Sequence, residues 1–138
     1  MNEDDDLGAL CAGAGRNLAE AERPVLERHG LSMWQYVVLT ALAAGSAPSQ
    51  LVLAQQIRYD KTRLIALLDA LEAEGLVVRE PDPADRRARV VHLTREGATR
   101  HAAVRSAIRE VEDRKLAGLP PEVRQVLRSA LAHLANSV

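Results

Sequence analysis

Two short runs rich in β-branched residues, at 76–79 and 90–93, interrupt a chain whose other ordered segments repeat their apolar residues every three or four positions. That interruption constrains the fold most, because it demands one hairpin inside an otherwise helical protein. Between the runs lie residues 80–89, where Pro81 and Pro83 exclude helix by removing backbone donors. This segment is expected to be a long hairpin tip, with Arg86, Arg87 and Arg89 on its outer half. The chain has no Phe, one Trp and two Tyr, so Leu, Val, Ile and Ala must fill the core, which suits packed helices. With 138 residues, 47% of them hydrophobic and 27% charged, we expect a single domain over 1–138, mainly α with a small β part (α+β).

The helices announce themselves by spacing and caps. Leu7, Cys11, Ala14, Leu18, Ala21 and Val25 form one apolar stripe, which Pro24 should bend or restart and Gly30 should end. Ser32 and Gln35 have the form of a capping box, flanked by Leu31 and Tyr36 as a hydrophobic staple, and open a second helix running to Gly45. Pro48 and Ser49 begin a short third helix carrying Leu53, Ala54 and Ile57, and Arg58 and Tyr59 form the turn after it. Asp60 caps a fourth helix with Leu64, Leu67, Leu68 and Leu71 on one face, ending at Gly75. Its other face offers Thr62, Arg63, Ala66, Asp69 and Ala70, with Ile65 between, so the third and fourth helices have the parts of a helix-turn-helix followed by a charged wing. Thr94 caps a fifth helix, and Pro120 and Pro121 separate it from an amphipathic sixth. The apolar stripes of the first, fifth and sixth helices exceed what a compact helix-turn-helix can cover, which implies a homodimer.

Charge narrows the function classes. The net charge of −1 argues against a protein that coats nucleic acid non-specifically, so any DNA affinity must come from the local arginine cluster. Cys11 is the lone cysteine and the N-terminus is acidic, so a cytoplasmic address is expected; no apolar run approaches the roughly 18 residues of a membrane span. His29, His92, His101 and His133 lack metal-ligand spacing, no phosphate loop is present and no nucleophile has an evident base. Neither catalysis nor a metal or other cofactor is expected.

At this point the sequence closely resembles the MarR family of bacterial transcriptional regulators over essentially its whole length. Gly30, Leu31 and Ser32 with Gln35 and Tyr36, then Asp69, Leu71, Glu72, Gly75, Leu76, Val77 and Arg79, carry the likeness. The most specific match is Asp85, Arg86, Arg87 and Ala88 followed by Val91, Leu93, Thr94 and Gly97. The resemblance implies a winged helix-turn-helix over 32–95, dimerisation helices at 7–30 and 96–138, and a homodimeric repressor that binds double-stranded DNA at a palindromic operator. It further implies that the fourth helix enters the major groove and that Arg87 reaches the minor groove, with Asp85 orienting it. Where relatives often carry arginine this chain has Ala66, so base reading is expected to fall to Lys61, Thr62 and Arg63.

These types of residue suit that chemistry. Arginine sheds water readily and fits the negative potential of a narrow minor groove, and it pairs well with guanine in the major groove. Arg86 and Arg89 are expected to meet phosphates. The resemblance also implies a small aromatic or phenolic effector held between the first, second and fifth helices, for which Arg16, His29, Trp34, Tyr36 and His101 are candidates. Two other readings compete: a winged-helix module that binds protein, and a regulator that senses oxidants through Cys11. The second is disfavoured because Cys11 lies on the apolar stripe and is expected to be buried.

Overall fold

A computed structural model describes residues 1–47 and 49–137. Six helices and one antiparallel ribbon follow in the order α1 (Leu7–Arg28), α2 (Met33–Ala44), α3 (Gln50–Ile57), α4 (Lys61–Ala73), β1 (Val77–Asp82), β2 (Asp85–Leu93), α5 (Arg95–Lys115) and α6 (Pro121–Asn136). Pro48, expected to open the third helix, lies outside the described residues.

Local chemistry sets most of these boundaries. Ser32 accepts the Gln35 N–H while the Gln35 side chain accepts the Ser32 N–H, so the capping box is complete. Ser49, Asp60 and Thr94 cap α3, α4 and α5 in the same one-sided way, each accepting an N–H three residues on. Two helices stop on left-handed glycines: after α1, Gly30 N–H bonds Glu27 O and Leu31 N–H bonds Leu26 O, and the pattern repeats after α4 at Gly75 and Leu76. Pro24 does not restart α1, which runs unbroken through it. The proline is solvent-exposed, where water can satisfy the carbonyl that it leaves without a donor.

The ribbon departs from expectation. The hairpin tip anticipated over 80–89 is mostly strand, since Glu80 pairs with Val90 and Pro81 with Arg89, leaving only Pro83 and Ala84 between β1 and β2. A two-stranded ribbon is edge on both sides, so the missing N–H of Pro81 costs no central ladder bond. Ala47 adds a one-residue bridge, exchanging both backbone bonds with Val91 at 2.9 Å.

The core gathers Val38 and Leu39 of α2, Leu53 of α3, Leu64, Leu68 and Leu71 of α4, Val91 of β2 and Val104 of α5, all completely buried. From α1 only Val25 and Leu26 are buried, and α6 buries none of its described residues. Cys11, expected inside, is exposed, because the N-terminal half of the α1 stripe only borders an open cleft shared with α6 instead of packing into the core.

The junction of ribbon and α5 explains one motif. Thr94 Oγ1 accepts the Gly97 N–H and donates to the Gly75 carbonyl, drawing the start of α5 against the end of α4. A Cβ at Gly97 would overlap the Leu76 carbonyl oxygen and lie 2.9 Å from its carbon. Gly97→Ala should therefore destabilise the protein by about 3 kcal/mol, the upper end for an overpacked site, as measured by chemical denaturation; Gly8→Ala, where a Cβ meets nothing within 4 Å, is the control.

Candidate functional site

The exposed surface of α4 and the ribbon bring the expected DNA contacts onto one connected unit. Asp60 Oδ2 accepts the Arg63 N–H at 2.9 Å, which starts α4 cleanly and leaves Lys61, Thr62 and Arg63 exposed on its first turn. The Lys61 and Thr62 amides, with the cations of Lys61 and Arg63, make this helix end attractive to phosphate oxygens. Ala66, Asp69 and Ala70 are exposed further along and Ile65 is half-buried, as its position between the two faces requires. Arg86, Arg87 and Arg89 are all exposed on β2, with Arg87 and Arg89 on one face by strand alternation and Arg86 on the other. None of these arginines, nor Lys61 or Arg63, forms an ion pair among the described residues.

Asp85 acts on Arg87 through the backbone. Its Oδ1 accepts the Arg87 N–H at 3.0 Å, and it forms no ion pair with the Arg87 guanidinium. The effect is to shape the β2 entrance while leaving the guanidinium free for an outside anion.

Sequence reasoning missed the group that joins α4 to the ribbon. Arg79 of β1, its side chain 14% exposed, donates through Nη2 to Asp69 Oδ1 at 2.6 Å and Glu72 Oε1 at 2.9 Å, and through Nη1 to Gln50 Oε1 at 3.1 Å. Its backbone N–H also reaches Glu72 Oε2 at 3.1 Å. These bonds hold the Glu72 carboxyl below its usual range. The signal was present, as an arginine on the first strand and acids on the preceding helix, but pairing across seven and ten residues has no periodicity to reveal it.

The five effector candidates do not converge. Tyr36 and His101 do meet, with ring centroids 5.4 Å apart. His101 is buried and hydrogen-bonded to Thr40 Oγ1 at 3.0 Å; burial, and secondarily Arg105, lowers its affinity for a proton. Tyr36 and Thr40 line a cavity of about 430 Å³ between α1, α2, α3 and α5, together with Glu22, Ile57, Ile108 and Glu112. Burial, and then the charge of Glu112, raises the Glu22 pKa. Trp34 packs instead on Tyr59, at 4.3 Å. The His29 carbonyl accepts from Arg100 at 3.1 Å, and Arg16 stands exposed on α1. Neither Arg16 nor His29 lines the Tyr36 cavity.

Known proteins match this arrangement. The sequence pattern of the MarR family matches residues 29–88. The transcriptional regulator HosA of Escherichia coli O111:H- is 33% identical over 103 residues, spanning 75% of this chain and 76% of that one. A MarR-family transcriptional regulator from Rhodococcus sp. RHA1 superposes with a TM-score of 0.86 at 27% identity, covering 100% of this chain and 99% of the other. The repressor CouR, solved bound to a 23-mer DNA duplex, gives 0.84 at 30% identity over 95% and 93% of the two chains. CouR from Rhodococcus jostii RHA1 has also been solved with p-coumaroyl-CoA, giving 0.82 at 25% identity over 100% and 97%.

Two outcomes follow from the geometry. Arg79→Ala leaves two carboxylates without their donor and should cost about 2 kcal/mol, a value kept modest by their partial exposure. Because the folded Glu72 pKa is depressed, its contribution is full above the unfolded value near 4.5 and is lost as pH falls through the folded value; Arg79→Ala should remove that acid-range component in melts from pH 7 to 3. His101 also has a lowered folded pKa, so the stability it confers is full above the unfolded 6.5 and declines as pH falls below it. His101→Gln should flatten the Tm profile between pH 7 and 5.

Proposed function

Since the chain belongs to the MarR family of DNA-binding transcriptional regulators, we propose that it is a repressor which grips a palindromic operator as a homodimer and releases it when a small effector binds. The observation that carries this reading is the pairing of an exposed, cationic α4 first turn with three exposed wing arginines, locked to one another through Arg79. CouR, of the same fold, was solved on a DNA duplex. In this reading α4 lies in the major groove, with Lys61 on phosphate and Thr62 and Arg63 on base edges, while Arg87 enters the minor groove. Arg86 and Arg89 contact the flanking phosphates. The polar outer face of α4 offers little to an apolar protein partner.

Apolar surface supports the dimer. Leu7 is 72% and Val126 67% exposed in the single chain, and a cleft of about 430 Å³ between α1 and α6 is walled by Leu10, Leu18, Leu127 and Leu131. A second copy related by a twofold axis buries these stripes and sets two α4 helices about 34 Å apart, one turn of B-DNA. The effector site is the Tyr36 cavity, where Glu22 and Glu112 suit a neutral or phenolic group better than a carboxylate. A ligand there favours a spacing of the α4 pair that no longer matches successive grooves.

Selection of duplexes from a random pool should return inverted repeats bound by two protomers. Arg87→Ala should weaken binding to the selected duplex about tenfold and reduce the salt slope by about 1. A monomer that ignores every duplex at low ionic strength would overturn the proposal.

A further inference from the structure

The chain's single tryptophan, Trp34 at the start of α2, has its ring stacked on Tyr59 with centroids 4.3 Å apart and planes tilted by 35°. Over the same Tyr59 ring lies the Arg63 guanidinium, 5.6 Å from its centroid. An aromatic ladder thus runs from α2, through the turn of the helix-turn-helix, to the first turn of α4. Tyr59 packs partly against the core, but the rungs on either side of it lie outside, since Trp34 is 40% exposed and Arg63 is exposed.

The stop of α3, of the same left-handed kind that ends α1 and α4, fixes where Tyr59 falls. Arg58 adopts a left-handed conformation at φ 54°, the only non-glycine positive φ among the described residues. Glycine would take that conformation freely, whereas arginine adopts it at a cost. Tyr59 then bonds through its N–H to Ala54 O at 2.9 Å, and Asp60 fixes the Arg63 amide. Arg63 is therefore held at both ends, by a cap on its backbone and by a ring beneath its guanidinium. A flexible arginine loses rotamer freedom when it meets a base, and one already laid on a ring loses less.

We infer that Tyr59, backed by Trp34, is a positioning residue that presents Arg63 to DNA and so sets the base preference at the operator position Arg63 reads. This rests on the proposed docking of α4 in the major groove. It assigns Trp34 to the DNA-facing side of the protein, away from the Tyr36 cavity.

The test uses the dimer of the 138-residue chain and the operator obtained by random selection, with affinity and single-base preference measured for each variant. Tyr59→Leu should weaken binding about threefold to tenfold and relax the preference at the same operator position as Arg63→Ala. Tyr59→Phe, which keeps the ring, should restore both. The double variant Tyr59→Leu with Arg63→Ala should bind no more weakly than Arg63→Ala alone, because the ring acts only through that arginine. Trp34 emission should shift in Tyr59→Leu as its stacking partner leaves. Additive losses, a Tyr59→Phe variant as impaired as Tyr59→Leu, an unchanged base preference or an unmoved emission would each overturn the inference. If Arg87→Ala still weakens binding in that event, the functional reading survives. A wild-type dimer that selects no duplex would defeat both.

Discussion

The Arg79 guanidinium is the interaction on which the geometry of the surface formed by α4 and the ribbon depends. Its acceptors come from α3 at Gln50 and from α4 at Asp69 and Glu72, while Arg79 itself belongs to β1. A two-stranded ribbon is marginal when isolated, and this one extends well beyond the core. Tying its base to both helices of the helix-turn-helix gives the wing arginines a defined relation to the first turn of α4. The Thr94 hydroxyl and the space left by Gly97 close the other side, joining the end of α4, the end of β2 and the start of α5.

The remaining helices stand in contrast to this self-contained unit. α5 has one face in the core, through Val104, Ile108 and Val111, whereas α6 and most of α1 present apolar residues outward. A folded chain rarely leaves such surface to water unless something covers it. On the proposed reading a second copy does so, and the cavity at Tyr36 sits where α1, α2, α3 and α5 meet, between the paired helices and the reading head. On that same reading a ligand there biases the spacing of the two heads without touching DNA.

Much of the fold was legible in the chain because its signals are local. The cap at Ser32, the cap at Asp60, the stops at Gly30 and Gly75, and the leucine face of α4 each depend on residues within a turn or two of one another. The exposed cations of α4 and the wing were legible for the same reason. The Ala47 bridge to Val91, the true length of the ribbon and the exposure of Cys11 were not, since each depends on what lies opposite in space. Trp34 shows the difference plainly: the resemblance made it a candidate for an effector site, yet the fold sets it against Tyr59.

By itself, the amino-acid sequence determined the helices, their caps, the single hairpin and the charge of its outer half, because periodicity, prolines and capping residues act over a few positions. Only the tertiary structure decided that Arg79 clamps α4 to the ribbon, that Arg63 rests on Tyr59, and that Arg16 and His29 stand apart from the Tyr36 cavity. Such pairings join residues from different elements, and their energies depend on distance and burial that no local pattern encodes.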